Sequence, residues 1–194
     1  MGQLRIIGGR LRGRRLPVPD QPGLRPTTDR VRETLFNWLA PNIAGSRCLD
    51  CFAGAGALGF EAFSRGAAEV VLIERAGAVA AQLKANAATL SAAADGPGGV
   101  LGVVKADALR WLAREAPSPF DIVFLDPPFA DAAVEQAMAL LTRGWLAADA
   151  FVYVETPASA APPVLPPGWT WHRERTAGQV RYALARTLGA ADAV

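Results

Sequence analysis

Five short apolar runs recur across the middle of the chain, with helix-like stretches between them. The runs are RCLDCF (47–52), EVVLIE (69–74), VLGVVKA (100–106), FDIVFL (120–125) and AFVYVE (150–155). The helical stretches fall near 57–65, 76–90, 108–115 and 131–143. Near-continuous apolar strands are buried on both faces, and strand–helix alternation lays them parallel. The pattern predicts an α/β fold, a Rossmann-like and mostly parallel sheet. The tail departs from it. TWHRERT (170–176) and VRYALART (180–187) follow the proline-rich APPVLPPG (161–168), with Gly178 available for a turn. An antiparallel C-terminal strand pair is expected there.

The N-terminal stretch LRIIGGRLRGRRLPVP (4–19) reads as two short strands around a hairpin turn at Gly8-Gly9. QPGLRP (21–26) is a turn-rich link. TTDRVRETLFNWLA (27–40) predicts a helix capped by Thr27, Thr28 or Asp29, with Val31, Leu35, Trp38 and Leu39 on one face. Two units are expected, a basic arm and link over 1–26 and the main domain over 27–194. The net charge of +2 conceals an asymmetry, because residues 1–33 carry eight arginines against three acids. Arg5, Arg10, Arg12, Arg14, Arg15 and Arg25 form a cluster suited to RNA phosphates, and removal of 1–19 is expected to cost RNA binding alone. Arg30 and Arg32, on the helix, are assigned to surface pairs.

The composition closes several routes. Apolar residues make up 51 %, ample for a core at this length, yet no apolar run approaches bilayer length. The start has no signal-peptide core, so a soluble, cytoplasmic protein with no membrane contact is expected. Cys48 and Cys51 spell C-x-x-C, but no second pair exists and His172 is the only histidine. That leaves no zinc set and reads as two buried thiols, with no metal expected. It also argues against histidine-based acid–base catalysis.

Two motifs carry the chemistry. LDCFAGAGALGFEA contains Gly54-x-Gly56-x-x-Gly59 between a strand and a helix, with Glu74 closing the next strand. That is the context of a nucleotide-binding turn, in which the acid accepts from ribose hydroxyls. NAD and S-adenosylmethionine both fit the turn. Asp50, four residues before Gly54, would repel a pyrophosphate but suits the ammonium of a methionine moiety. Asp107, after the third run, can meet an adenine amino group or cap the following helix. The second motif, Asp126-Pro127-Pro128-Phe129, ends the fourth run. In a doubly wound sheet, first and fourth strands are neighbours, so both motifs face one crevice. There Asp126 and the Pro127 carbonyl would accept the two N–H bonds of an exocyclic amine, and Phe129 would stack on its base. A base inside a helix must flip out, or be single-stranded, to reach such a pocket.

These residues resemble the class I S-adenosylmethionine-dependent methyltransferases that act on amino groups. RIIGGRLRGRRLPVP, GLRPTTDRVRETLFNWL, LDCFAGAGALGFEAFSRGA and FDIVFLDPPF extend the similarity to bacterial 16S ribosomal RNA guanine-N2 methyltransferases of the RsmD type. The resemblance implies that Asp50, Phe52, Gly54 and Gly56 hold the methionine end of S-adenosylmethionine, Glu74 its ribose and Asp107 its adenine. Ala53, Arg75 and Ala108 complete that set, and residues around Thr28 fold over it. Asp126 to Phe129 would bind the guanine amine. The implied partner is 16S rRNA in an assembling small subunit, the implied product S-adenosylhomocysteine, and a monomer is expected.

Other readings stay open on the residues alone. Adenine-N6 methylation of DNA or RNA would use the same Asp-Pro-Pro-Phe chemistry. A nicotinamide dehydrogenase would share the glycine loop but leave Asp50 and Asp126 without a role. An RNA-binding ribosome assembly factor could keep the fold without catalysis. Calorimetry separates the cofactors: S-adenosylmethionine is expected to bind and NADH to give no heat, and the reverse would overturn the methyltransferase reading.

Overall fold

A computed structural model describes residues 2–20, 28–94, 99–114, 116, 118–128 and 133–188. Nine strands and five helices are assigned among these residues. β1 (Gly2–Arg5) and β2 (Arg15–Val18) form a small antiparallel pair, followed by α1 (Asp29–Leu39). The main alternation is β3 (Arg47–Asp50), α2 (Ala57–Ser64), β4 (Glu69–Glu74), α3 (Gly77–Ala93), β5 (Val100–Lys105), α4 (Ala108–Leu112), β6 (Phe120–Leu125) and α5 (Ala133–Leu141). β7 (Leu146–Pro157), β8 (Trp169–Ala177) and β9 (Val180–Thr187) complete the chain.

The main sheet has seven strands in the order β5-β4-β3-β6-β7-β9-β8. β5 to β7 run parallel, and β9 and β8 close one edge antiparallel through a turn at Gly178. This is the expected mostly parallel sheet with an antiparallel end. β3, β4, β6 and β7 bury residues on both faces, β5 at the edge stays partly exposed, and two apolar clusters result. Cys48, Leu72, Ile122 and Phe124 pack under α1, α2 and the hairpin; Leu49, Ile73, Val123 and Val152 pack under α4 and α5. Cys48 and Cys51 are free and buried, one in each cluster, so the C-x-x-C spacing makes no dithiol.

Three expectations need correction. β7 begins four residues before the predicted 150, because its first part crosses a register shift in which Asp149 adopts φ 59°. LAADA lacks β-formers, so the pattern gave no warning. The predicted strands at 47–52 and 100–106 also end earlier, at Asp50 and Lys105, where the loops begin. The turn at Gly8-Gly9 is absent as well. Arg5 pairs with Arg15, so the whole stretch 6–14 is the connection. Gly8 and Gly9 instead dock on α2: the Ser64 hydroxyl donates to the Gly8 carbonyl at 2.6 Å, and the Arg10 amide donates to the Ser64 carbonyl at 2.8 Å. A Cβ on Gly9 would collide with the Ser64 carbonyl, and its φ of 72° favours glycine in any case.

Arg32 is the third correction. It makes the helix pair, with half-exposed Asp29, but is itself 1 % exposed, donates to the Arg5 carbonyl at 3.0 Å and lies 3.7 Å from the buried Glu61 carboxylate. Glu61, fully buried on α2, also binds Arg65 at 2.7 Å and accepts from the Ile7 amide at 2.9 Å. This buried ionic cluster joins the hairpin loop to α1 and α2. Leu4, Ile6, Leu11, Leu16 and Val18 share the cluster of β3 and β6, so truncation at residue 19 would strip five core side chains along with the arginines.

Breaking a buried ion pair by removing one partner costs about 3–5 kcal/mol, because the other charge is left uncompensated. Glu61→Ala is expected to lose stability in that range, measured by urea unfolding. A loss below about 1 kcal/mol would show that Arg32 and the Ile7 amide find other partners.

Candidate active site

The site forms where the parallel strands end. Asp50 pairs with Phe124, and the Cys51 amide donates to the Phe124 carbonyl at 3.1 Å. β3 and β6 are therefore neighbours, and the glycine loop and the Asp-Pro-Pro turn leave the same sheet edge. Alternation sets the faces. Cys48 and Asp50 point toward α2, and Ile122 and Phe124 lie in the same cluster. Asp126, two residues beyond Phe124, continues on that face and roughly 7 Å further toward the loops. Its charge acts on Tyr153, a member of the same cluster. Asp126 is half-buried, Pro127 buried and Pro128 exposed. Phe129 lies outside the described residues, as do Arg25 and Thr27.

The glycine loop has the shape its sequence required. Gly54 and Gly56 adopt φ of 50° and 79°, and the Gly56 amide donates to the Ala53 carbonyl at 2.6 Å. Side chains of Phe60 and Leu83 occupy the space a Cβ on Gly56 would need. Gly59 allows α2 to lie against Leu72 and brings its amide to Asp50 Oδ2 at 3.0 Å. Ala53 is buried and its amide donates to the Ile73 carbonyl, while Phe52 is half-buried beside the second cluster. Glu74 grips the loop, accepting from the Gly54 amide at 3.1 Å and the Ala76 amide at 2.7 Å. A carboxylate has about four lone-pair sites, so two amides leave capacity for hydroxyl donors.

β4 and β5 pair as far as Glu74 with Lys105, and the Ala106 amide donates to the Glu74 carbonyl, so Asp107 follows two residues past the partner of Glu74. Asp107 caps α4 through the Arg110 amide at 3.0 Å, with Ala108 buried after it. Arg75 is exposed. Thr28 is the cap of α1, its hydroxyl accepting from the Val31 amide at a long 3.4 Å. The arm arginines divide. Arg5 is held by Asp29 at 2.6 Å and Arg10 lies over the Phe63 ring at 4.7 Å. Arg15 reaches Gln3 at 3.5 Å, and Arg12 and Arg14 have no side-chain partner among the described residues.

The donor set decides what fits this turn. Asp50, Glu74 and Asp107 place three acids at one edge, which suits a cationic adenosine derivative and disfavours a pyrophosphate. The acids are also the residues whose sequence positions predicted them. Sequence reasoning missed Glu155, which is buried, accepts from the Tyr153 hydroxyl at 2.7 Å and lies level with Asp126 on β7. Its one signal was an acid ending an apolar run.

Burial pushes the Asp50 carboxyl up to about 7; the Gly59 amide opposes the rise, the Glu74 charge adds to it and the Phe52 amide opposes it. An unfolded aspartate titrates near 3.8, so between about pH 4 and 7 the folded chain keeps a proton that the unfolded chain loses. This group's contribution to stability is full below about pH 4 and is lost as pH rises through 7. Asp50→Asn is expected to flatten the fall of unfolding free energy over that window, measured by urea titration at several pH values. An unchanged slope would place the Asp50 pKa near its ordinary value.

The family described as conserved hypothetical protein 95 matches residues 4–186. Ribosomal RNA small subunit methyltransferase D of Escherichia coli is 55 % identical over 184 residues, 94 % of this chain and 89 % of the relative. The solved structure of yhhF from Escherichia coli superposes with a TM-score of 0.88 at 52 % identity, covering 96 % of this chain and 99 % of that one. Magnesium protoporphyrin IX methyltransferase from Synechocystis has a TM-score of 0.60 at 17 % identity, covering 81 % of this chain and 78 % of its own. That last likeness concerns the class I methyltransferase fold alone.

Proposed function

We propose, from the premise that the chain belongs to the ribosomal RNA small subunit methyltransferase D family, that it methylates the exocyclic N2 amine of a guanine in 16S rRNA. Family membership makes the chain a ribosomal RNA methyltransferase. Transfer to an exocyclic amine is supported by one observation: Asp50 and Asp126 share a face and an edge on adjacent strands, beside the Glu74-held glycine loop; guanine N2 over adenine N6 rests on the family resemblance.

Bound at that loop, S-adenosylmethionine supplies the methyl group. Glu74 has capacity for the ribose hydroxyls, Asp107 is assigned to the adenine amine, and Asp50, giving up its proton as a positive charge approaches, to the ammonium. Asp126 and the Pro127 carbonyl accept the two N–H bonds of the target amine. An exocyclic amine is a poor nucleophile, because its lone pair is delocalised into the ring. Two acceptors on its N–H bonds localise that pair and aim it. Asp126 is also placed to take the proton that the nitrogen sheds on methylation. The gain is mostly one of proximity, which lowers barriers by about 7–11 kcal/mol when reactants are held in line. The partly buried position of Asp126 strengthens its bonds to the base relative to water. Arg12 and Arg14, on the hairpin loop, remain for RNA phosphates, and the small subunit under assembly is the setting we assign.

The test is incubation of the protein with labelled cofactor and, in parallel, undermethylated 30S subunits, naked 16S RNA and duplex DNA, followed by nucleoside mass spectrometry. N2-methylguanosine in the RNA arms is expected; N6-methyladenosine, or label in DNA, would overturn the guanine assignment. Asp126→Ala is expected to keep cofactor affinity within a few-fold and to lower transfer by at least about a hundred-fold, the range of a positioned proton acceptor. Wild-type turnover in that variant would remove Asp126 from the reaction.

A further inference from the structure

One row of side chains crosses four strands at the level of the catalytic carboxylate. Leu125 pairs with Val154, which sets Asp126 beside Glu155; Glu155 pairs with Tyr182, and Tyr182 with Arg175. Directly opposed residues share a face. The row therefore leads from Asp126 to the edge strand β8, over about 14 Å at the usual strand spacing. At its far end the β8–β9 hairpin meets α1. Arg30 and Thr34 of α1 and Arg175, Thr176, Gly178 and Tyr182 of the hairpin line a cleft of about 300 Å3.

The walls of this cleft are fixed. Arg30, Thr34 and Trp38 succeed one another at four-residue spacing on α1, one stripe of the helix. Trp38 stacks on Tyr182 with ring centroids 5.5 Å apart, which anchors the helix to the hairpin. The Thr34 hydroxyl donates to the Arg30 carbonyl at 3.0 Å. The charges are not neutralised from within. On the same two elements, Arg32 is paired with Asp29 and Glu61, and Arg181 with Glu174. Arg30 and Arg175 have no acid partner among the described residues. Two unpaired guanidiniums and two threonines around one small polar cleft are an anion site by chemistry. Guanidinium forks match phosphate oxygens in pairs.

We infer that this cleft binds a backbone phosphate of the RNA strand that carries the target base. The inference rests on the reading of the chain as an RNA methyltransferase. A base turned out toward Asp126 leaves its flanking backbone outside the pocket, and that backbone needs a grip to hold the base in place. The hairpin arm provides one grip. It docks on α2 and α3, where the Leu11 amide donates to Ser64 and Asn86 donates to the Pro17 carbonyl. That is the β3–β4 side of the sheet, and the cleft lies at the opposite, β8 edge. An RNA strand held at both places is drawn across the Asp126 row.

The test compares the wild type with Arg30→Ala/Arg175→Ala, and with Arg143→Ala as a control for loss of exposed charge elsewhere. RNA affinity is measured by fluorescence anisotropy on an undermethylated 16S fragment over a range of salt. S-adenosylmethionine affinity, and methyl transfer at saturating RNA, are measured alongside. The double variant is expected to bind RNA roughly ten-fold more weakly at moderate salt. Its log–log salt slope should be shallower by about 0.7, the counterion release of one single-strand phosphate contact. Cofactor affinity is expected to be unchanged, transfer at saturating RNA to stay within two-fold, and Arg143→Ala to match the wild type. Wild-type affinity and slope in the double variant, with wild-type transfer intact, would overturn the phosphate site alone. An equal loss in Arg143→Ala would do the same, by showing a generic charge effect. A wild-type protein that transfers no methyl to RNA would overturn both this inference and the reading beneath it.

Discussion

The parallel pairing of β3 with β6 is the contact on which the site depends. It sets Asp50 opposite Phe124, and the Cys51 amide bond to the Phe124 carbonyl continues that register into the loop. Because side chains alternate, a slip by one residue would send Asp126 to the α5 face and leave Asp50 on the α2 face. The two carboxylates would then no longer share a face of the sheet. Both clusters of the core oppose such a slip, since it would exchange Ile122 and Phe124 with Val123 and Leu125 between faces already filled. The packing that stabilises the sheet is thus also what aligns the two carboxylates.

A second constraint acts at right angles to the sheet. Glu61 gathers Arg32, Arg65 and the Ile7 amide in a buried place. Buried ion pairs repay their desolvation poorly, and their better-attested use is to specify one arrangement over others. Here the arrangement is the seating of the N-terminal loop and α1 on α2, beside the glycine turn. Asp29 extends the cluster to the surface by holding Arg5 as well as Arg32. Its carboxyl is held below the ordinary range, first by the hydrogen bond from Arg5, against the opposing effect of burial and with the help of Arg32. The charge of the basic N-terminal stretch is therefore divided. Part of it fastens the chain to itself, and Arg12 and Arg14 stay exposed.

The sheet was legible because burial on both faces leaves a mark that no other element leaves in quite that form. RCLDCF, EVVLIE and FDIVFL each became a strand of the parallel block. The glycine loop was legible for a related reason: a left-handed φ and a close helix–strand contact both exclude a Cβ, so the residue type records the geometry. The acids Asp50, Glu74 and Asp107 could be placed because each stands where an apolar run gives way to its loop. The early part of β7 was not legible, since its pairing is made by a neighbour and by the bulge at Asp149, with little local propensity.

What the sequence alone determined was therefore the periodic and the steric: the alternation that makes a mostly parallel sheet, the turn that only glycine allows, and the strand end at which Asp126 emerges. Only the tertiary structure decided the fate of the charges. Arg5, Arg30 and Arg32 lie in one arginine-rich region of the sequence, yet the first is tied to a helix start, the third is buried on Glu61, and the second borders an open cleft. Charge pairing in a folded chain is set by neighbours in space, here 24 residues apart for Arg5 and Asp29. A side chain's type states that it carries charge, and its position in the fold decides which charge it meets.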